Sequence, residues 1–156
     1  MGETPAGQIA KNPSAWQNFH LLETIEAGIE LKGSEVKSLR EHKANLRDAF
    51  ARIDKGQAWL YGLEISPYAQ AGRWAAEPKR ERRLLLHRKE IERLEGQVAR
   101  KGYTLVATRI YFKGSLVKVE VALARGKQEF DKRETIKRRE SQRQISRILK
   151  SRKGVN

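Results

Sequence analysis

Cations carry most of the chemistry this chain can offer. ARGKQEFDKRETIKRRE, residues 124–140, begins where an alternating stretch, VKVEVALA, ends, and the chain is mostly charge from there to Asn156. Residues 125–156 hold 12 Lys or Arg against 4 Asp or Glu, which is +8 of the chain's +14. A second basic stretch, RWAAEPKRERR with HRKE, lies within residues 73–90. Ammonium and guanidinium groups in such runs neutralise phosphates and release condensed counterions, so nucleic acid is the first partner they suggest. An anionic membrane is the other polyanion to weigh. The tail lacks the Trp, Phe and Leu face that membrane-surface helices use, so no membrane partner is expected.

Residues for bond-making chemistry are not arranged to perform it. His20, His42 and His87 stand in unrelated contexts, with no H-x-x-x-H or H-x-H spacing, and no metal site is expected. Gly126-Lys127 could end a phosphate loop, but the first glycine would fall at Val121 and Gln128 stands where a Ser or Thr belongs. Glu90 and Glu92 have no reason to converge, and G-x-S-x-G does not occur. No catalytic residue and no cofactor is assigned, and a non-enzyme is expected.

The 156 residues, 38% of them apolar, can fill one modest core. With no cysteine, disulfides and thiolate metal sites are excluded. The N-terminal residues contain no apolar signal-like run, and position 6 is Ala6 where a myristoylation pattern needs Ser or Thr. A soluble, cytoplasmic monomer is the expectation.

The elements that must position these cations read as mainly β. Residues 1–12 are rich in Gly, Pro and small residues and predict a disordered arm, with order beginning near Trp16. FHLLETIEAGIEL is strand-like and broken at Ala27-Gly28, with Phe19, Leu21 and Ile25 on one face and Leu22 and Thr24 on the other. SEVKSLREHK predicts a short helix capped by Ser34. DAFARID and AWLYGLEIS, joined at Lys55-Gly56, predict a hairpin whose second arm carries Trp59, Tyr61, Leu63 and Ile65 at period two.

Residues 66–80 read as a loop. LLLHRKEIERLEGQVARKG predicts a helix with Ile91, Leu94 and Val98 on one stripe and Gly102 at its end. TLVATRIYF and LVKVEVALA predict a second hairpin, with Val117, Val119, Val121 and Leu123 inside and Lys118 and Glu120 outside. Hairpins with helices between them imply antiparallel pairing. The expected architecture is an oligonucleotide-binding-like antiparallel β-barrel over residues 13–124, with flanking α-helices and a basic C-terminal tail, residues 125–156. The tail's apolar stripe, Ile145, Ile148 and Leu149, is too thin to pack on a core. The tail is therefore expected to be disordered when free and helical when laid along phosphate.

These residues resemble one family, the SsrA-binding protein or small protein B. The resemblance runs through EAGIELKGSEVKSLREHKANLRDAFARI, ISPY, EPKRERRLLLHRKEIERL and KGYTLVATRIYFKGSLVKVEVALARGK and closes on FDKRETIKRR, covering about residues 12–140. It implies binding to the tRNA-like part of transfer-messenger RNA and delivery to stalled ribosomes. There the barrel would stand in for an anticodon stem, and the tail would enter the empty mRNA channel. The alternative is another barrel-type translation or ribosomal RNA-binding protein.

By the same resemblance, Glu26 of E-A-G, Asn12 and Leu85 contact the RNA, with His87 close by. Leu85 reads equally well as a core residue. Lys37, Arg40 and Lys43, in the matched segment, and Arg80, Arg82 and Arg83, in the basic stretch, complete the candidate RNA-binding set. Lys127, Asp131, Lys132 and Arg133 match the family's tail motif for ribosomal accommodation, and Phe130 takes the place of an aromatic that stacks on a decoding-centre base. Lys137, Arg138 and Arg139 extend the ribosome-binding tail.

Overall fold

A computed structural model describes residues 7–127 and 143–145. In chain order the elements are β1 (Gln8–Lys11), α1 (Pro13–Asn18), β2 (Phe19–Ile29), α2 (Gly33–Arg40), β3 (Ala44–Asn45), β4 (Phe50–Asp54), β5 (Gln57–Tyr61), β6 (Glu64–Ile65), a 3-10 segment (Ala69–Trp74), β7 (Arg82–Leu85), α3 (Arg88–Lys101), β8 (Thr104–Lys113) and β9 (Leu116–Gly126). All pairings are antiparallel.

The order β8-β4-β5-β7-β2-β9 returns to β8 through a direct β8–β9 pairing, so six strands close a barrel and β1 extends it along β8. Closure leaves no long unpaired edge among these six strands. The barrel is the mainly β architecture expected. The chain divides at Gly126 because β9 runs that far, two residues beyond the anticipated boundary at Ala124.

The core follows from side-chain period. In β9, Val119, Val121 and Leu123 point into the main core, while Ala122 and Ala124 are buried on the other face under Ala15 and Val106. α3 buries Ile91 and Leu94 with Val98 half-buried, each large apolar side chain contributing about 1.5–3 kcal/mol when fully buried. Gly102 ends α3 at φ 65, and its N–H donates to the Val98 carbonyl at 3.1 Å.

Five local expectations change. Residues 8–11 are strand, not arm, since β1 pairs with β8; residues 1–6 lie outside the described residues. α1, too short for a periodic signal, precedes β2. β2 is unbroken at Ala27-Gly28, because Gly28 is paired on both sides, with Leu85 and with Lys118. Leu84 and Leu85 are strand rather than helix, so the helix starts only at Arg88. α2 begins two residues early, capped at Lys32 rather than Ser34, with the Lys32 N–H donating to the Glu35 carboxylate at 2.9 Å.

The second arm of the first hairpin also divides its apolar set. Ala58 and Leu60 are buried, Trp59 and Tyr61 are half-buried on the outer face, and Leu63 and Ile65 are buried again. The switch occurs at Gly62, whose φ of 82 reorients the chain and where a Cβ would stand 3.2 Å from the Ala49 Cα.

Candidate nucleic-acid interface

The outer face of the barrel brings Glu26, Arg83, Leu85 and His87 together. β2 and β7 pair with Gly28 opposite Leu85, and Gly28 is also opposite Lys118 of β9. An open cleft of about 520 Å³ lies over this crossing, bordered by Glu26, Gly28, Arg83, Leu85, His87 and Lys118. Leu85 is 49% exposed, an apolar side chain on a charged surface. A Cβ at Gly28 would stand 3.2 Å from the Leu85 Cβ, so glycine is what leaves Leu85 room there. His87, two residues beyond β7, caps α3, where its backbone N–H donates to the Glu90 carboxylate at 3.0 Å.

Glu26 is held from two sides. The Tyr111 hydroxyl donates to its Oε2, and the Lys113 ammonium donates to its Oε1 at 3.1 Å. The Tyr111 hydrogen bond, then that of Lys113, keep the Glu26 carboxyl below its ordinary value. Partial burial and the same contact push the Tyr111 phenol up to about 12. Behind Tyr111, the Arg109 guanidinium lies 4.9 Å from the ring centroid and pairs with Glu120 at 2.9 Å. Glu26 thus presents an ionised, oriented carboxylate beside an exposed leucine and the cations Arg83 and Lys118, a surface able to accept hydrogen bonds from base or ribose groups while contacting phosphate.

The remaining candidates are elsewhere. Lys37 and Arg40 are exposed on α2, and Lys43 follows it; none borders the Leu85 cleft. The Lys37 ammonium lies 5.5 Å from the Tyr68 ring centroid, and Lys43 pairs with Glu41 at 3.0 Å. Arg80 is partly buried and engaged with Glu35 at 2.5 Å.

Two candidates are corrected. Arg82 is 0% exposed, and its guanidinium donates to Glu35, Leu63 O, Arg80 O and Pro78 O, leaving nothing for a phosphate. Asn12 is 2% exposed: its Nδ2 donates to Ala107 O at 2.8 Å and its Oδ1 accepts from the Ser14 hydroxyl at 2.6 Å, a stitch between α1 and β8 rather than a surface contact. Lys127 is half-buried. Phe130, Asp131, Lys132, Arg133, Lys137, Arg138 and Arg139 lie outside the described residues. Sequence reasoning missed Gly28 and Lys118 as borders of the site; the outward position of Lys118 was legible, but its place opposite Gly28 depends on strand register.

The SmpB protein family matches residues 9–151. This chain belongs to the SmpB protein family. Proteins called SsrA-binding protein align with nearly its whole length. That of Carboxydothermus hydrogenoformans is 51% identical over 92% of this chain and 97% of its own. That of Roseiflexus castenholzii is 53% identical over 92% of both. Among solved structures, a chain from "tmRNA-SmpB: a journey to the center of the bacterial ribosome" superposes with a TM-score of 0.64 at 45% identity, covering 77% of this chain and 85% of that one. Among the described residues no helix is long and apolar enough to cross a membrane. The barrel carries its apolar and charged cleft on an outer strand face, with Leu85 exposed in it.

Proposed function

We propose that the chain is an RNA-binding adaptor that holds the tRNA-like part of transfer-messenger RNA, the SsrA RNA, against the Glu26–Leu85 face and carries it to stalled ribosomes in the cytoplasm. The observation that carries the reading is the exposed Leu85 seated over Gly28 beside a pre-oriented Glu26, on the barrel of a family whose members are called SsrA-binding proteins. Arg83 and His87 border the contact, and Lys37, Arg40, Lys43 and Arg80 add long-range attraction. The basic tail enters the empty mRNA channel, where Lys127, Phe130, Asp131, Lys132 and Arg133 engage the decoding region and Lys137, Arg138 and Arg139 line ribosomal RNA phosphates. Its +8 charge and its FDKRETIKRR motif support that part of the reading.

Gel-shift titration tests the first half. The protein should shift transfer-messenger RNA at far lower concentration than an unstructured RNA of equal length, and equal binding to both would overturn the assignment. Removing residues 127–156 tests the second half. RNA binding should persist while tagging of nascent chains is lost; loss of RNA binding on the same truncation would refute this division of labour.

A further inference from the structure

The Leu85 cleft continues into a second one. An open cleft of about 400 Å³ at the tip of the β4–β5 hairpin is bordered by Lys55, Gly56, Gln57, Arg83 and Arg88. Gln57, Arg83, Leu86 and Ile91 border both clefts, so Arg83 stands on the wall between them. Three cations of three separate segments thus face one concave space: Lys55 from the hairpin turn, Arg83 from β7 and Arg88 from the first turn of α3.

These charges are available. Among the described residues neither Lys55 nor Arg83 has a carboxylate partner. Arg88 pairs with Glu92 at 3.2 Å, but both side chains are solvated, 90% and 65% exposed, and such a pair is weak. Glu90 borders the Leu85 cleft but not this one and accepts the His87 N–H, and Asp54, opposite Gln57 in the β4–β5 hairpin, borders neither cleft. Unpaired like charges converging on a groove repel one another unless an anion enters it, and two planar guanidinium forks beside an ammonium match phosphate oxygens.

We propose that this cleft holds a backbone phosphate of the RNA bound on the Glu26–Leu85 face, making Lys55, Arg83 and Arg88 its phosphate-contacting residues. The inference rests on the functional reading above and extends the contact surface around the hairpin tip. Register places Trp59 directly opposite both Arg83 and Arg52, so the ribonucleotide beyond the phosphate meets a half-buried indole.

Salt-dependent binding tests it. Affinity for transfer-messenger RNA is measured over a range of salt concentrations for the wild type and for Lys55→Gln, Arg83→Gln and Arg88→Gln. Each loss of a phosphate contact should reduce the slope of log K against log salt by about 0.7–0.9. Leu85→Ala should weaken binding with the slope unchanged, since it removes no charge. An unaltered slope in Lys55→Gln and Arg83→Gln, with the proteins folded, overturns the cleft and leaves the adaptor reading standing. A reduced slope seen only with ribosomes also overturns it, because the phosphate would then belong to ribosomal RNA. If the wild type shows no preference for transfer-messenger RNA, the adaptor reading fails instead, and the same slopes measured on an unrelated tRNA decide the cleft separately.

Discussion

Glu35 and Arg82 meet at 2.6 Å inside the barrel domain, with 3% and 0% of their side chains exposed. The pair ties α2 to β7, and Arg82 also satisfies three backbone carbonyls around the loop that leads into β7. Removing one partner of such a pair leaves a buried charge and orphaned acceptors. Arg82→Met should lower stability by about 3–5 kcal/mol in equilibrium denaturation. Arg83→Met, one residue on and facing water, should stay within about 0.5 kcal/mol of wild type. The RNA-binding salt slope should show the reverse pattern, altered in the Arg83 variant and unaltered in the Arg82 variant under conditions where it remains folded.

Acid should find the same pair. Burial pushes the Glu35 carboxyl up, but hydrogen bonds from Arg80, the Lys32 N–H and Arg82 outweigh it and hold the group below its ordinary value. A carboxyl depressed in the folded state contributes stability that is complete above the ordinary carboxylate range and is lost as pH falls towards its folded value. The denaturation midpoint should therefore fall with acidification across that window. Glu35→Gln should be less stable at neutral pH and show a flatter decline, the difference between the two proteins shrinking as pH drops.

Tyr111 positions the carboxylate of Glu26. Of the four tyrosines, one should ionise near 12 in an ultraviolet difference titration, and Glu26→Gln should bring that value down. Tyr111→Phe should let the Glu26 carboxyl return towards its ordinary value and weaken RNA binding less than Glu26→Ala does. A Tyr111→Phe protein with an unmoved Glu26 titration, read by nuclear magnetic resonance, would show that the hydroxyl does not hold the carboxylate.

Gly28 and Leu85 should be coupled. A branched side chain in Gly28→Val must displace Leu85 from its seat, weakening RNA binding by a mechanism that needs Leu85 present. In a double-mutant cycle with Leu85→Ala, the combined loss should fall short of the sum by about 0.5–3 kcal/mol, the range for residues in contact. Additive losses would mean that the two act separately.

Much of this protein was legible in its residues. Alternation of apolar and polar side chains marked both hairpins, Lys55-Gly56 marked a turn that both residues enter with positive φ, and the Ile91–Leu94–Val98 stripe with Gly102 marked α3 and its end. The +14 charge selected a polyanion partner, and the motifs from EAG to FDKRETIKRR selected a family. These signals are local or compositional, so the chain displays them without folding. Arg82 and Arg83 read alike in the sequence, as cations of one basic stretch; only the strand β7 makes them face opposite ways, and which one faces water depends on which face of β7 closes the barrel. Asn12 passed for a surface residue until its amide was seen bonded to Ala107, 95 residues away. Gly62 reversed the faces of one arm, and long-range register set Gly28 between Leu85 and Lys118. Only the closed barrel decides such positions, because strand pairing and burial couple residues far apart in sequence and no local pattern records which of them will meet.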